Sequence, residues 1–170
     1  DSDTITYTLS GGTDDGLFTL DSSSGVLAFS SAPNFESPAD GNTDNDYHVT
    51  LGATDDGTGT LTDTQAITIT VTDANDAPVI SSSATASVAE NTTAVMTVAA
   101  SDEDSDTLTY TLSGGADDGL FTLDPSTGVL AFSSAPNFES PSDDNTDNDY
   151  QVTLVATDDG TGSLTDTQAI

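Results

Sequence analysis

The chain has 170 residues, 30 of them Asp or Glu, with one His and no Lys, Arg or Cys, so its formal charge is −30. That balance excludes nucleic-acid binding by counterion release, which needs Lys or Arg along the phosphates, and docking on anionic membranes through basic clusters. No apolar run is long enough to insert across a bilayer, and any clustered or buried carboxylate must find a metal ion, a backbone N–H or a proton.

In chain order, the apolar residues repeat with period two, the pattern of half-buried strands. Ile5, Tyr7 and Leu9 form the first such set. Phe18 with Leu20, and Val26 and Leu27 with Phe29, flank Asp21-Ser22-Ser23-Ser24-Gly25, which reads as a hairpin turn. Tyr47, Val49, Leu51 and Ala53 alternate with His48, Thr50, Gly52 and Thr54, and Ile67, Ile69 and Val71 alternate with Thr. Val88, then Val95 with Met96 and Val98, predict two further strands, and Leu108, Tyr110 and Leu112 repeat the opening set. Helix-period stretches are missing. An all-β, seven-stranded Greek-key β-sandwich is the predicted architecture of each unit.

The chain is an internal repeat. Shifted by 103 positions, residues 1–67 lie on 104–170 without a gap, and 58 of the 67 positions are identical. A unit of about 100 residues is a whole domain rather than a solenoid repeat. Residues 1–78 read as the C-terminal part of one unit without its first strands, 79–170 as the next unit without its last strand, and 73–78 as the linker. The segment is expected to be a slice of a longer array.

Acidic residues gather where strands end. Asp73-Ala74-Asn75-Asp76-Ala77-Pro78 offers three oxygen-bearing side chains in four residues, closed by a Pro. It is poor strand material and good hard-cation material, since calcium takes six to eight oxygens, backbone carbonyls included. Glu36 after Pro33-Asn34-Phe35, Asp102-Glu103-Asp104, and Asp158 in Ala156-Thr157-Asp158-Asp159-Gly160 continue the series. A single Asp in a turn is ordinarily a solvated turn residue, but the whole set recurs at matching places in both copies.

Taken in order, Ala89-Glu90-Asn91, Asp102-x-Asp104, Phe121-x-Leu123-Asp124 with Gly128, Asn137-Phe138-Glu139, Tyr150 through Asp158, and Asp73-x-Asn75-Asp76-x-Pro78 resemble a cadherin repeat. The series is most similar to the cadherin-like tandem repeats of giant bacterial surface adhesins, many of them exported by type I secretion, and covers essentially the entire chain. Such a resemblance implies sandwich domains with about three Ca²⁺ at each inter-repeat junction.

Carried over residue by residue, it assigns the central junction to Asn34, Glu36, Asp73, Asn75, Asp76, Asp102, Asp104 and Asp158, with backbone oxygens from Ala74 and Ala77. Asp106 is expected to stand in for an Asn-supplied oxygen in the loop that follows. Glu90, Asn137 and Glu139 would serve the next junction, and Asp1, Asp3 and Asp55 the previous one. Asn34 and Asn137 stand where the family usually has Asp, which removes a negative ligand, and the linker reaches its Pro one residue early compared with vertebrate cadherins.

Each copy also carries an acidic insertion, Asp40-Gly41-Asn42-Thr43-Asp44-Asn45-Asp46 and Asp143-Asp144-Asn145-Thr146-Asp147-Asn148-Asp149. Its alternating oxygens resemble part of a calcium loop but lack the terminal bidentate Glu of an EF-hand, and the sequence favours a solvated loop over an additional ion.

The central-junction carboxylates Glu36, Asp73, Asp76, Asp102, Asp104 and Asp158 make 15 mutual pairs. At ~6 Å in water each pair repels by about 0.7 kcal/mol, so the sum is near a domain's entire stability. Cations are therefore expected to lock the units into a rod, and chelation to loosen them.

An enzyme is not expected. The one candidate base, His48, is Gln151 in the second copy and alternates with apolar neighbours like a surface strand residue. The reading is a calcium-rigidified extender or adhesion module of a long extracellular, bacterial cell-surface or filament-forming protein, with calcium ions and neighbouring repeats as partners. The alternative is a glycan-binding or homophilic adhesive module; no Trp is present to stack on a sugar, and nothing in the sequence marks an adhesive strand.

Overall fold

The period-two segments form strands, because alternate residues of an extended chain face one side and can be buried together. The computed structural model describes residues 2–170. It resolves into two units, one ending at Ala74 and the other spanning Asn75–Ile170.

In the first unit the strands are β1 (Ile5–Gly11), β2 (Phe18–Leu20), β3 (Leu27–Phe29), β4 (Asp46–Asp55) and β5 (Thr62–Thr70). One sheet runs β1-β4-β5, antiparallel throughout, and β2 pairs with β3 as a hairpin. Tyr47 lies opposite Ile69 and Val49 opposite Ile67, so these side chains sit side by side on one face of the sheet. Phe18, Tyr47 and Val49 are buried. The Phe18 and Phe29 rings lie 4.4 Å apart, and Tyr47 meets both edge-on, an arrangement the ring quadrupoles favour. The predicted turn is present: the Asp21 carboxylate accepts the N–H groups of Ser23 and Ser24 at 3.0 and 2.7 Å.

The second unit has β6 (Val79–Ile80), β7 (Ala94–Thr97), β8 (Ala100–Ser101), β9 (Thr109–Gly114), β10 (Phe121–Leu123), β11 (Val129–Phe132), β12 (Thr153–Thr157) and β13 (Thr165–Ala169). Sheets of order β13-β12-β9 and β10-β11-β7 supply the two faces of its core, and β6 pairs with β8. Leu154 and Ala156 from β12, Tyr110 from β9, Leu130 and Phe132 from β11, and Phe121 from β10 form one buried cluster with Ile80, Val98 and Val152. The fold is the all-β sandwich that the alternation predicts.

Two local expectations are corrected. Val88 is in no strand; it packs half-buried against the core without a ladder partner. Val26 falls outside β3 and is 61% exposed, because the turn brings only Leu27 into register with Leu20. Tyr150 is half-buried and meets Phe121 and Phe132 edge-on, as Tyr47 meets Phe18 and Phe29. His48 is an exposed strand residue, as expected, with Nδ1 3.0 Å from the Thr68 hydroxyl.

Candidate metal centre

At the start of the second unit, three acidic segments meet. Asp102, Asp104 and Asp106 alternate through the loop between β8 and β9, which turns at Ser105 in the left-handed region (φ 64°). Each offers a carboxylate oxygen, and these three atoms lie within 4.8 Å of one another. The loop holds its shape through Asp102, whose Oδ1 accepts the N–H of Asp104 at 3.0 Å and of Asp106 at 3.3 Å. That leaves Asp102 Oδ2 buried with no hydrogen-bond partner among the described residues, and Asp106 Oδ2 is in the same position.

Desolvation raises the Asp106 carboxyl above its ordinary pKa, with the charges of Asp102, Asp159, Asp104 and Asp158 adding to the effect. Two orphaned carboxylate oxygens among four like charges, in a chain without a Lys or Arg, call for a cation or a proton.

The 75–78 segment closes onto this loop. The Asp76 N–H donates to Asp104 Oδ2 at 2.7 Å, and Asn75 Nδ2 donates to Asp158 Oδ2 at 3.2 Å. Asp158 ends the buried face of β12 and is itself buried. Its oxygens accept the N–H groups of Gly160 and Leu164 at 3.0 to 3.1 Å, which fixes the carboxylate.

Gly160 completes the arrangement. A Cβ there would fall 1.9 Å from Asn75 Oδ1 and 2.0 Å from Asp106 Oδ2, so the missing side chain is what lets those two oxygens approach. Carboxylate and amide oxygens, one of them orphaned beside a space that a methyl group would fill, fit calcium, which takes six to eight oxygen ligands.

The first unit repeats the design. Asp55 Oδ1 accepts the N–H groups of Gly57 and Leu61, and a Cβ on Gly57 would lie 2.6 Å from Asp3 Oδ2. Asp1, the remaining predicted ligand there, lies outside the described residues. Elsewhere in the second unit, Glu90 Oε2 accepts the Phe138 N–H at 3.2 Å and Asn137 Oδ1 accepts the Glu139 N–H at 3.0 Å, so Glu90 and the 137–139 loop are neighbours.

In the first unit, Asn34 Oδ1 accepts the Ser37 N–H at 2.7 Å. Glu36, Asp73 and Ala74 are exposed on the first unit, and Ala77 is exposed on the second. Sequence reasoning missed Asp159, which accepts the Thr107 N–H at 2.7 Å, and Gly160. Recurrence of Asp-Asp-Gly at 55–57 and 158–160 was the available signal.

A two-sheet antiparallel sandwich with an acidic cluster where its linker, the β8–β9 loop and the end of β12 meet is the arrangement of a cadherin-type module. The comparisons agree. Residues 84–170 match the Cadherin domain family model, and the chain belongs to that family. It is 32% identical to mouse (Mus musculus) Protocadherin Fat 2 over 163 residues, and 29% identical to human (Homo sapiens) Protocadherin Fat 1 over 174 residues. Those alignments take in 91% and 98% of this chain, which spans only 3% and 4% of the relatives' length.

Among solved structures it resembles mouse Cadherin-23 EC22-24, with a TM-score of 0.54 and 25% identity over 97% of this chain and 50% of that one. A second similar structure is the Protocadherin gammaB7 EC3-6 cis-dimer, with a TM-score of 0.54 and 26% identity over 98% of this chain and 39% of that one.

Proposed function

We propose that this chain is a calcium-rigidified extracellular repeat that extends a long bacterial cell-surface protein, as a spacer or adhesion module. The observation that carries the reading is the convergence of Asp102, Asp104 and Asp106 with two buried oxygens that no protein group satisfies. Calcium would supply the missing partner for both, relieve the repulsion that raises the Asp106 carboxyl, and tie Asn75 and Asp76 to the loop already holding them.

The remaining oxygens of about three ions per junction are assigned, on the family resemblance, to Asn34, Glu36, Asp73 and the carbonyls of Ala74 and Ala77. Units joined through the 73–78 linker would then be stiffened by metal, which suits a chain with few apolar residues.

Calorimetric titration of calcium into the full chain tests this, with Asp104→Ala and Asp76→Ala as comparisons. Both variants are expected to bind fewer ions. Full stoichiometry in both would mean that the ions sit elsewhere and that the reading fails.

A further inference from the structure

The acidic insertions are exposed over most of their length, as expected, but the first Asp of each is not. Asp40 and Asp143 are each only 4% exposed. In both loops the first Asp spends one oxygen on the loop's own backbone: Asp40 Oδ2 accepts the Asp44 N–H at 3.0 Å, and Asp143 Oδ2 accepts the Asp147 N–H at 2.8 Å. In both loops its other oxygen, Asp40 Oδ1 or Asp143 Oδ1, is buried with no hydrogen-bond partner. Asn45 adds a third such atom: it is 8% exposed, its Nδ2 donates to the Phe35 carbonyl at 2.9 Å, and its Oδ1 is buried and unpartnered.

A second buried carboxylate closes each loop from beneath. Asp14 accepts the N–H of Gly41 at 3.3 Å and of His48 at 2.8 Å; Asp117 accepts those of Asp144 at 2.9 Å and Gln151 at 2.8 Å. Those backbone donors, the His48 N–H foremost, hold the Asp14 carboxyl below its ordinary pKa. Asp14 and Asp117 are thus compensated by N–H groups, whereas Asp40 and Asp143 are compensated on one oxygen only. Leaving a carboxylate oxygen dry costs more than a loop of this size can return through its own hydrogen bonds.

We propose that each insertion is a second kind of calcium site, distinct from the cluster at Asp102–Asp106, with Asp40 Oδ1 and Asn45 Oδ1 as ligands in the first copy and Asp143 Oδ1 in the second. The order Asp-x-Asn-x-Asp-x-Asp, present in both loops, sets oxygens at every other residue, as a hard cation with six to eight oxygen ligands requires. Asp44 and Asp147 fix the loop's shape. Their Oδ2 atoms take the Asn42 and Asn145 amides at 2.7 and 2.6 Å, and their Oδ1 atoms take the N–H groups of Asp46 and Asp149 at 3.0 and 2.9 Å. Such a site would brace the insertion inside one domain, independently of whether neighbouring domains are stiffened.

The test counts ions on the full chain by equilibrium dialysis against calcium. Asp40→Asn/Asp143→Asn is expected to bind two fewer per chain than the parent, while Asp102→Asn/Asp104→Asn/Asp106→Asn keeps those two. This separates failure of the loop sites from failure of the Asp102–Asp106 reading. An unchanged count in the loop variant, or no ion left in the cluster variant, overturns the proposal.

A terbium measurement guards against a loop variant that does not fold. Tyr47 and Tyr150 accept the N–H groups of Ala39 and Ser142 at 3.2 and 3.4 Å, each one residue before the loop's first Asp. Tb³⁺ in the loops would therefore be excited through these phenols. Tyr47→Phe/Tyr150→Phe is expected to lose most of the tyrosine-sensitised emission with the ion count unchanged, and undiminished emission contradicts the site.

Discussion

The two copies share 58 of 67 aligned residues but not the same surroundings. Leu130 is fully enclosed in the second unit, where β7 pairs with β11 and Val98 joins the core. Its counterpart Leu27 is half-buried, and among the described residues β3 pairs with β2 alone. Tyr47 is buried and Tyr150 half-buried, though each meets its two Phe rings edge-on. The acidic loops ignore these differences: Asp40 and Asp143 make the same bond, leave the same oxygen unpaired and are equally buried. Core burial is set by neighbouring strands, whereas loop geometry is set within about a dozen residues and one distant carboxylate.

The largest test of that contrast is a matched truncation. Leu130→Ala should cost about 3–5 kcal/mol, at the upper end for a buried Leu, and Leu27→Ala about 2 kcal/mol or less. Urea unfolding of the two single variants measures both, and equal losses would erase the difference in burial.

Glycines should behave the opposite way. A Cβ on Gly12 (φ +123°) would lie 2.3 Å from the His48 carbonyl oxygen, and on Gly115 (φ +114°) 2.3 Å from that of Gln151. Both glycines bring the following Asp14 and Asp117 against their strands. Gly12→Ala and Gly115→Ala should therefore destabilise their own units alike, each by roughly 2–3 kcal/mol; a difference beyond error would show that the loops feel their frames.

Gly160→Ala probes the metal centre without touching a charge. Filling the space between Asn75 Oδ1 and Asp106 Oδ2 should weaken calcium binding about tenfold or more, roughly 1.4 kcal/mol, in a calorimetric titration. Unaltered affinity would place the ion away from those oxygens.

The smallest effect lies in the β10–β11 turn. The Thr127 N–H foremost, with the Ser126 hydroxyl, lowers the Asp124 carboxyl to about 2. A folded pKa below the ordinary 3.8 contributes stability present above that value and lost as the pH falls through about 2. Exposure keeps the contribution small. Carboxyl NMR should find Asp124 ionised at pH 3, and a midpoint near 3.8 would dismiss the turn's bonds.

Much of this was legible in the chain. Alternation located β1, β4, β5 and β9, and the Asp21 turn announced the β2–β3 hairpin. Two-residue β6 and β8 carry no period and could not be read, and Val88 looked like a strand because an apolar residue packed from a loop is indistinguishable from one in a ladder. Asp102, Asp104 and Asp106 were visible because their spacing repeats. Gly160 was not, since a glycine's role depends on which oxygens converge on it. Burial of Asp40 was hidden for a related reason: polar alternation reads as solvated until Asp14, 27 residues from Gly41, is seen to hold the loop down.

Small-angle scattering of the full chain, in calcium and again in excess chelator, bears most directly on the central claim. A calcium-stiffened repeat predicts one defined, extended distance distribution with the ion and a broader, shorter-persistence one without it. Superimposable profiles would contradict it.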